Sequence, residues 1–216
     1  MAAPEQEGRP QTAAGVAEPA PRGRPRSMKA HAAILKAAAG LLLEHGLDAV
    51  SMDAVAARAG VSKATIYRWW PTKETLALDA LYTEWRAVAP APQDTGSLRG
   101  DLLELLAPWV GLVSGQPYAR VIAALLAETR ADPAFAAEYQ QRVIGPRREQ
   151  ARKIFTRAIE RGEIPPDLDL EVALDVIYGP LYLRLLQDHA PLNGAFVQSV
   201  VDLALTGIGY ISLSSR

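Results

Sequence analysis

The stretch from Ser51 to Lys73, SMDAVAARAGVSKATIYRWWPTK, constrains the fold more than any other, because its punctuation reads as two short helices joined by a tight turn. Ser51 is an N-cap ahead of the apolar-periodic Met52, Val55, Ala56 and Ala59. Gly60 stands where a helix ends in a left-handed residue, and Val61 follows as an apolar plug. Ser62 caps a second helix from Lys63 to about Trp69, with Ile66 and Trp70 able to face the first. Lys63, Thr65, Tyr67 and Arg68 are left to point away. Such spacing predicts a helix-turn-helix.

An outer face of Lys, Thr, Tyr and Arg has the size and chemistry to enter a DNA major groove. A plain helical hairpin with a solvated basic face would show the same spacing. Detail separates the two: Ala59-Gly60-Val61-Ser62, Tyr67, Trp69-Trp70 and Pro71-Thr72-Lys73 together resemble the DNA-binding signature of the tetracycline-repressor (TetR) family of bacterial regulators. The resemblance extends back to Ile34 and covers roughly residues 28 to 85. It implies an all-α fold, with an N-terminal three-helix DNA-binding domain followed by a larger helical domain for ligand binding and dimerisation. It also implies roles on DNA. Lys63, Ala64, Thr65 and Arg68 would meet base edges or their flanks, and Ser51, Ser62, Tyr67, Trp69 and Lys73 the phosphates. Arg68 and Trp69 fall where family members vary, so no operator sequence carries over.

Charge is distributed in a way that suits this reading. The net charge is −1, yet residues 22 to 73 hold nine Lys/Arg against three Asp/Glu, and residues 74 to 216 hold thirteen against eighteen. A basic head on an acidic body fits a DNA-binding domain fused to a sensing domain, although a basic head can also serve solubility alone. The chain has no Cys and only three dispersed His, which excludes disulfides, thiolate zinc sites, a Cys nucleophile and a His-rich metal cluster. No cofactor and no metal are expected. With no bilayer-spanning apolar run and no apolar leader at the N-terminus, a cytoplasmic protein without a membrane partner is expected.

Residues 1 to 26 read as a disordered arm that ends in Pro21-Arg22-Gly23-Arg24-Pro25-Arg26. That run is AT-hook-like: Arg22, Arg24 and Arg26 would lie along an A·T minor groove, a generic basic linker being the other reading. Residues 27 to 73 form the expected DNA-binding domain and residues 74 to 216 the helical body. Helices are expected from Ser27 to His45, from Lys73 to about Val88, from Leu98 to Val113, and from Pro117 to about Arg130. A long helix from Ala134 to Arg161 should bend at Gly145-Pro146. The last two, Asp169 to about Asp188 and Gly194 to about Ser212, are the most apolar. Helices apolar on more than one side are central or covered by another subunit, so Leu181, Leu185, Val197, Val200, Val201 and Leu205 are expected at a homodimer interface.

Trp85, Trp109, Tyr118, Ile122, Phe135, Tyr139 and Tyr178 are large side chains on successive helices and are expected to line an effector cavity, although plain core explains each singly. Their chemistry suggests a largely apolar aromatic compound held by one or two polar groups. Asp167, Asp169 and Glu171 read as helix N-terminal charge. The reading is thus a homodimeric repressor on palindromic double-stranded half-sites, released by a small-molecule effector. A constitutive DNA-binding protein with a solid core is the alternative. An all-α enzyme finds no nucleophile and base pairing in the sequence.

Overall fold

The structure, a computed structural model, describes residues 24–88 and 93–209. Among the described residues ten α-helices run in the order α1 (Arg24–His45), α2 (Met52–Ala59), α3 (Lys63–Tyr67), α4 (Lys73–Val88), α5 (Leu98–Val113), α6 (Gln116–Ala131), α7 (Pro133–Tyr139), α8 (Gly145–Glu160), α9 (Leu170–Gln187) and α10 (Gly194–Gly207). No strand occurs among the described residues. The stops are those that side-chain chemistry dictates. Ser51, Ser62, Ser97, Asp132, Asp169 and Asn193 each accept a backbone N–H at the start of their helix. Gly46 ends α1 at φ 81°, and a single 3-10 turn, Leu47–Ala49, tucks Leu47 and Val50 beneath the head.

Two details differ from the expected boundaries. Helix α1 starts at Arg24, so the backbone of Arg24–Arg26 lies in its first turn and not in an extended arm; a proline in the first turn forfeits no intrahelical hydrogen bond. Arg22 and the side chains of Arg24 and Arg26 lie outside the described residues. The expected bend at Gly145-Pro146 takes the form of a π turn, Gln140–Ile144, between α7 and α8. Its wider ring lets the Gly145 N–H reach the Gln140 carbonyl and so absorbs the proline that follows. A Cβ on Gly145 would lie 3.2 Å from that carbonyl oxygen.

Apolar side chains gather into two cores. The first joins α1 to α4 through Ile34, Leu42, Val55, Ile66, Trp70 and Leu76, and continues into Val121 and Leu125 of α6 and Phe135 and Tyr139 of α7. Hence the packing runs across the domain boundary expected at Lys73. The second core lies in the body, among α5, α8, α9 and α10. Leu181, Leu185, Val197, Val200, Val201 and Leu205, expected at a subunit interface, are instead turned into this core and buried within the subunit. Width of the apolar face explains the correction, since one side of each helix is consumed by the subunit itself. The other side leaves Val172, Val176, Leu183, Leu186 and Leu203 exposed.

Below this core, the fully buried Asp101 fixes the start of α5. Its carboxylate accepts from the Thr95 N–H at 2.7 Å and the Thr95 hydroxyl at 2.7 Å, and pairs with Arg157 at 3.1 Å and Arg161 at 3.5 Å. Glu163 accepts from the Leu98 N–H at 2.7 Å and pairs with Arg161. Burial acts to raise the Asp101 pKa, but the Thr95 and Arg157 hydrogen bonds prevail and hold it below the usual carboxylate value. A depressed folded pKa supplies stability above the unfolded value that is lost as pH falls through the folded one. Asp101→Ala should therefore cost about 2–3 kcal/mol at pH 7, less than a fully buried pair because both guanidiniums reach solvent, and the deficit should shrink below about pH 4. Urea melts at both pH values measure it. An equal deficit at pH 7 and pH 3 would assign the loss to packing.

Candidate nucleic-acid interface and effector cavity

Helices α2 and α3 are set by the turn between them. Gly60 adopts φ 67° and ψ 36°, a left-handed conformation open to glycine, and the Val61 N–H closes on the Ala56 carbonyl at 3.1 Å. The chain can then re-enter helix at once. Ser62 caps α3 by accepting the Thr65 N–H at 3.3 Å, and its hydroxyl lies 2.9 Å from that of Thr65. Ser51 accepts the Ala54 N–H at 3.1 Å. Ile66 and Trp70 are buried against the head, which leaves Ser62, Lys63, Ala64, Tyr67, Arg68 and Trp69 exposed on the outer side.

The protruding surface is aromatic as well as basic: Tyr67 is 52% and Trp69 39% exposed, unusual values for such rings unless something covers them. Trp69 is held edge-on to His31 of α1, centroids 4.8 Å apart, and His31 also packs at 4.8 Å on Trp70. Burial lowers the His31 pKa and so favours the neutral ring in this sandwich. Lys63 is not a loose cation; its ammonium pairs with Asp53 of α2 at 2.9 Å. Thr65 and Lys73 are half-buried at either edge, and Lys73 lies 3.9 Å from Glu74. Ser62, Lys63, Ala64, Thr65, Tyr67, Arg68 and Trp69 thus sit on α3 and its immediate flanks, while Ser51 caps the start of α2 and Lys73 begins α4.

Helix α4 ties this head to the body. The Trp70 indole N–H donates to Asp79 at 2.6 Å, and Asp79 also pairs with Arg142 of the π turn. Leu78, beside Asp79, and Val143, beside Arg142, both line a cavity in the body. That cavity holds about 40 Å³, room for two or three waters, and is overwhelmingly apolar. Its walls come from α4 (Leu81, Tyr82, Trp85), α5 (Trp109), α6 (Ile122), α7 (Tyr139), α8 (Arg147) and α9 (Tyr182).

Of the expected cavity residues, Trp85, Trp109, Ile122 and Tyr139 meet here. The other three do not. Phe135 is spent in the first core, half-buried Tyr118 does not line the space, and Tyr178 faces a separate cavity of about 50 Å³ with Arg147 and Tyr182. Tyr82, Arg147 and Tyr182 were not anticipated. Tyr182 stands one helical turn beyond Tyr178, a spacing legible in the sequence. Arg147 sits in the run Arg147-Arg148-Glu149, which reads as a solvated helix face.

Comparison with known proteins agrees with this geometry. Residues 34–80 match "Bacterial regulatory proteins, tetR family", and residues 92–204 match "Tetracyclin repressor-like, C-terminal domain". The chain is 40% identical over 187 residues to the "Uncharacterized HTH-type transcriptional regulator YdeS" of Bacillus subtilis, covering 87% of this chain and 93% of that one. It is 33% identical over 184 residues, 84% of this chain and 92% of the other, to the "DNA-binding transcriptional repressor TetR" of Mycobacteroides abscessus. Among solved structures it superposes on "TetR family transcription regulator SCO0332" with a TM-score of 0.71 and 35% identity, over 83% of this chain and 98% of that one. Among the described residues no single helix is long and apolar enough to cross a membrane.

Proposed function

The chain belongs to the tetracycline-repressor family of DNA-binding transcriptional regulators, a family of non-enzymatic proteins, and from that premise we propose that it works as a homodimeric repressor whose grip on a palindromic operator is released by a small, largely apolar ligand. One observation carries the proposal: α4 belongs to both sites. It begins at Lys73 beside the outer face of α3, receives Trp70 on Asp79, and puts Leu78, Leu81 and Trp85 on the cavity wall.

A cavity of about 40 Å³ cannot admit a drug-sized molecule unless its walls part. Displacement of Trp85 or Leu78 turns α4, and α4 turns the head through Asp79 and the shared core. Two heads on a dimer then change spacing, while each remains folded. The ligand must favour the released spacing; a hundredfold preference, about 2.7 kcal/mol, suffices for a large shift where the two states start nearly balanced. The repressor sense follows the relative that bears that name. The protein acts in the cytoplasm with its DNA.

Within the head, Lys63, Ala64, Thr65 and Arg68 are assigned to base edges, and Ser51, Ser62, Tyr67, Trp69 and Lys73 to phosphates. Lys73→Ala should weaken binding to every duplex alike and lower the salt slope by about one unit. Arg68→Ala should relax discrimination by about 1–3 kcal/mol at the base pairs it meets. Fluorescence anisotropy at several salt concentrations, on cognate and scrambled duplexes, tests both. Binding left unchanged by both substitutions overturns this assignment.

A further inference from the structure

Among the described residues the buried charged side chains are Asp101, Glu163 and Arg147. The two acids answer the guanidiniums of Arg157 and Arg161. Arg147 has no such answer. It is 8% exposed, donates to the Tyr182 hydroxyl at 3.0 Å, and no carboxylate of the described residues pairs with it. Its neighbour in sequence, Arg148, takes Glu171 at 3.1 Å and Asp175 at 2.6 Å on the outside of the same helix. Four aromatic rings flank Arg147, with Trp109 at 4.5 Å and Tyr178 at 5.3 Å from the guanidinium carbon.

Those rings attract the cation without neutralising it. Burial raises the Tyr139 and Tyr178 phenols above their usual value against the pull of Arg147, so neither supplies an anion at neutral pH. A buried cation lacking a counter-charge costs stability, and a well-packed apolar side chain would serve the core better. A second group is left unanswered in the same cavity: the buried Trp85 indole N–H has no acceptor among the described residues. The site therefore presents unspent donors and a positive charge inside apolar walls. The complementary group is one that only accepts, and an ionised carboxylate is such a group, able to take two guanidinium N–H donors at once.

We propose that Arg147 anchors the effector's acid group: an aromatic or alkyl monocarboxylic acid seats its carboxylate on the Arg147 guanidinium and the Trp85 indole N–H, with its apolar body against Leu78, Leu81 and Ile122. Arg147 and Tyr182 line both this cavity and the smaller space beside Tyr178, so they form the wall between the two. Drawing the guanidinium onto a carboxylate opens that wall and makes room for the apolar body. Arg147 also stands one turn beyond Val143 at the end of the π turn, where helical hydrogen bonding is easiest to rearrange.

This inference rests on the effector reading above, and calorimetry on the full chain without DNA keeps the two separate. The probes are benzoate, 1-naphthoate and decanoate, each beside its primary amide, which has the same shape but sets N–H donors against donors. At least one acid should bind about tenfold or more tightly than its amide, as expected for a desolvated charge-assisted pair. Arg147→Met should erase that difference by weakening the acid alone, Arg147→Lys should keep part of it, and Arg147→Met should melt no lower than the parent. No acid binding at millimolar concentration, amides binding as tightly as acids, or an acid preference that survives Arg147→Met would each overturn the assignment. The comparison of acid with amide on the unsubstituted chain stands even if a variant does not fold. Acid binding that leaves operator affinity unchanged would retain the anchor and remove the release mechanism.

Discussion

Glutamate at both Val176 and Leu183 is expected to yield a folded monomer that has lost the operator. Val172, Val176, Gly179, Leu183 and Leu186 recur at alternating steps of four and three along α9 and are exposed, as Leu203 of α10 is at 75%. That spacing sets one seam on the helix, the pattern by which two helices interlock. Several large apolar side chains on one exposed face exceed the scattered singles that a monomer shows. In the proposed homodimer a second copy of the same face about a two-fold axis would cover them and set two heads side by side. An unpaired carboxylate in such a seam costs several kcal/mol, enough to dissociate the pair at micromolar concentration. Operator affinity should then fall by about 10²–10⁴, the advantage of binding two half-sites at once. Sedimentation and circular dichroism read the two parts separately, and an unaltered dimer moves the interface elsewhere.

Aspartate at Leu181 or Val200 should do something different and more severe: the subunit itself should unfold. Leu181 is 0% and Val200 7% exposed, both inside the core that α9 and α10 share with α5. A charge forced there has no partner and costs several kcal/mol, a large part of the about 5–15 kcal/mol that holds a typical domain together. Far-ultraviolet dichroism should show lost helix at 25 °C, or a thermal midpoint lowered by tens of degrees. A well-folded monomer would instead return these two residues to the interface.

The contrast between those substitutions shows where the sequence was legible. Caps and stops are local chemistry, so Ser51, Gly60, Ser62, Ser97 and Asp169 marked their helices correctly, and the helix-turn-helix followed from them. Which side of a helix faces the subunit's own core is not local. On α9 almost every side chain is apolar, so periodicity did not distinguish Leu181 and Leu185, which fill the core, from Leu183 and Leu186, which do not. The cavity was half visible for a related reason. Size alone picked Trp85, Trp109 and Tyr139, but it equally picked Phe135, and nothing local separates a ring that lines a space from one that fills it. Arg147 and Asp101 were hidden because charge in a sequence reads as surface. Their burial depends on partners tens of residues away, Tyr182 for one and Arg157 for the other.

The central claim, that a two-fold pair of α3 faces reads a symmetric operator, is met most directly by selecting binders from random duplex DNA with the full chain. The account predicts enrichment of one inverted repeat, recovered by the parent protein and lost by the Val176→Glu/Leu183→Glu variant. Enrichment of single, asymmetric sites by both proteins, or of no sequence at all, would contradict it.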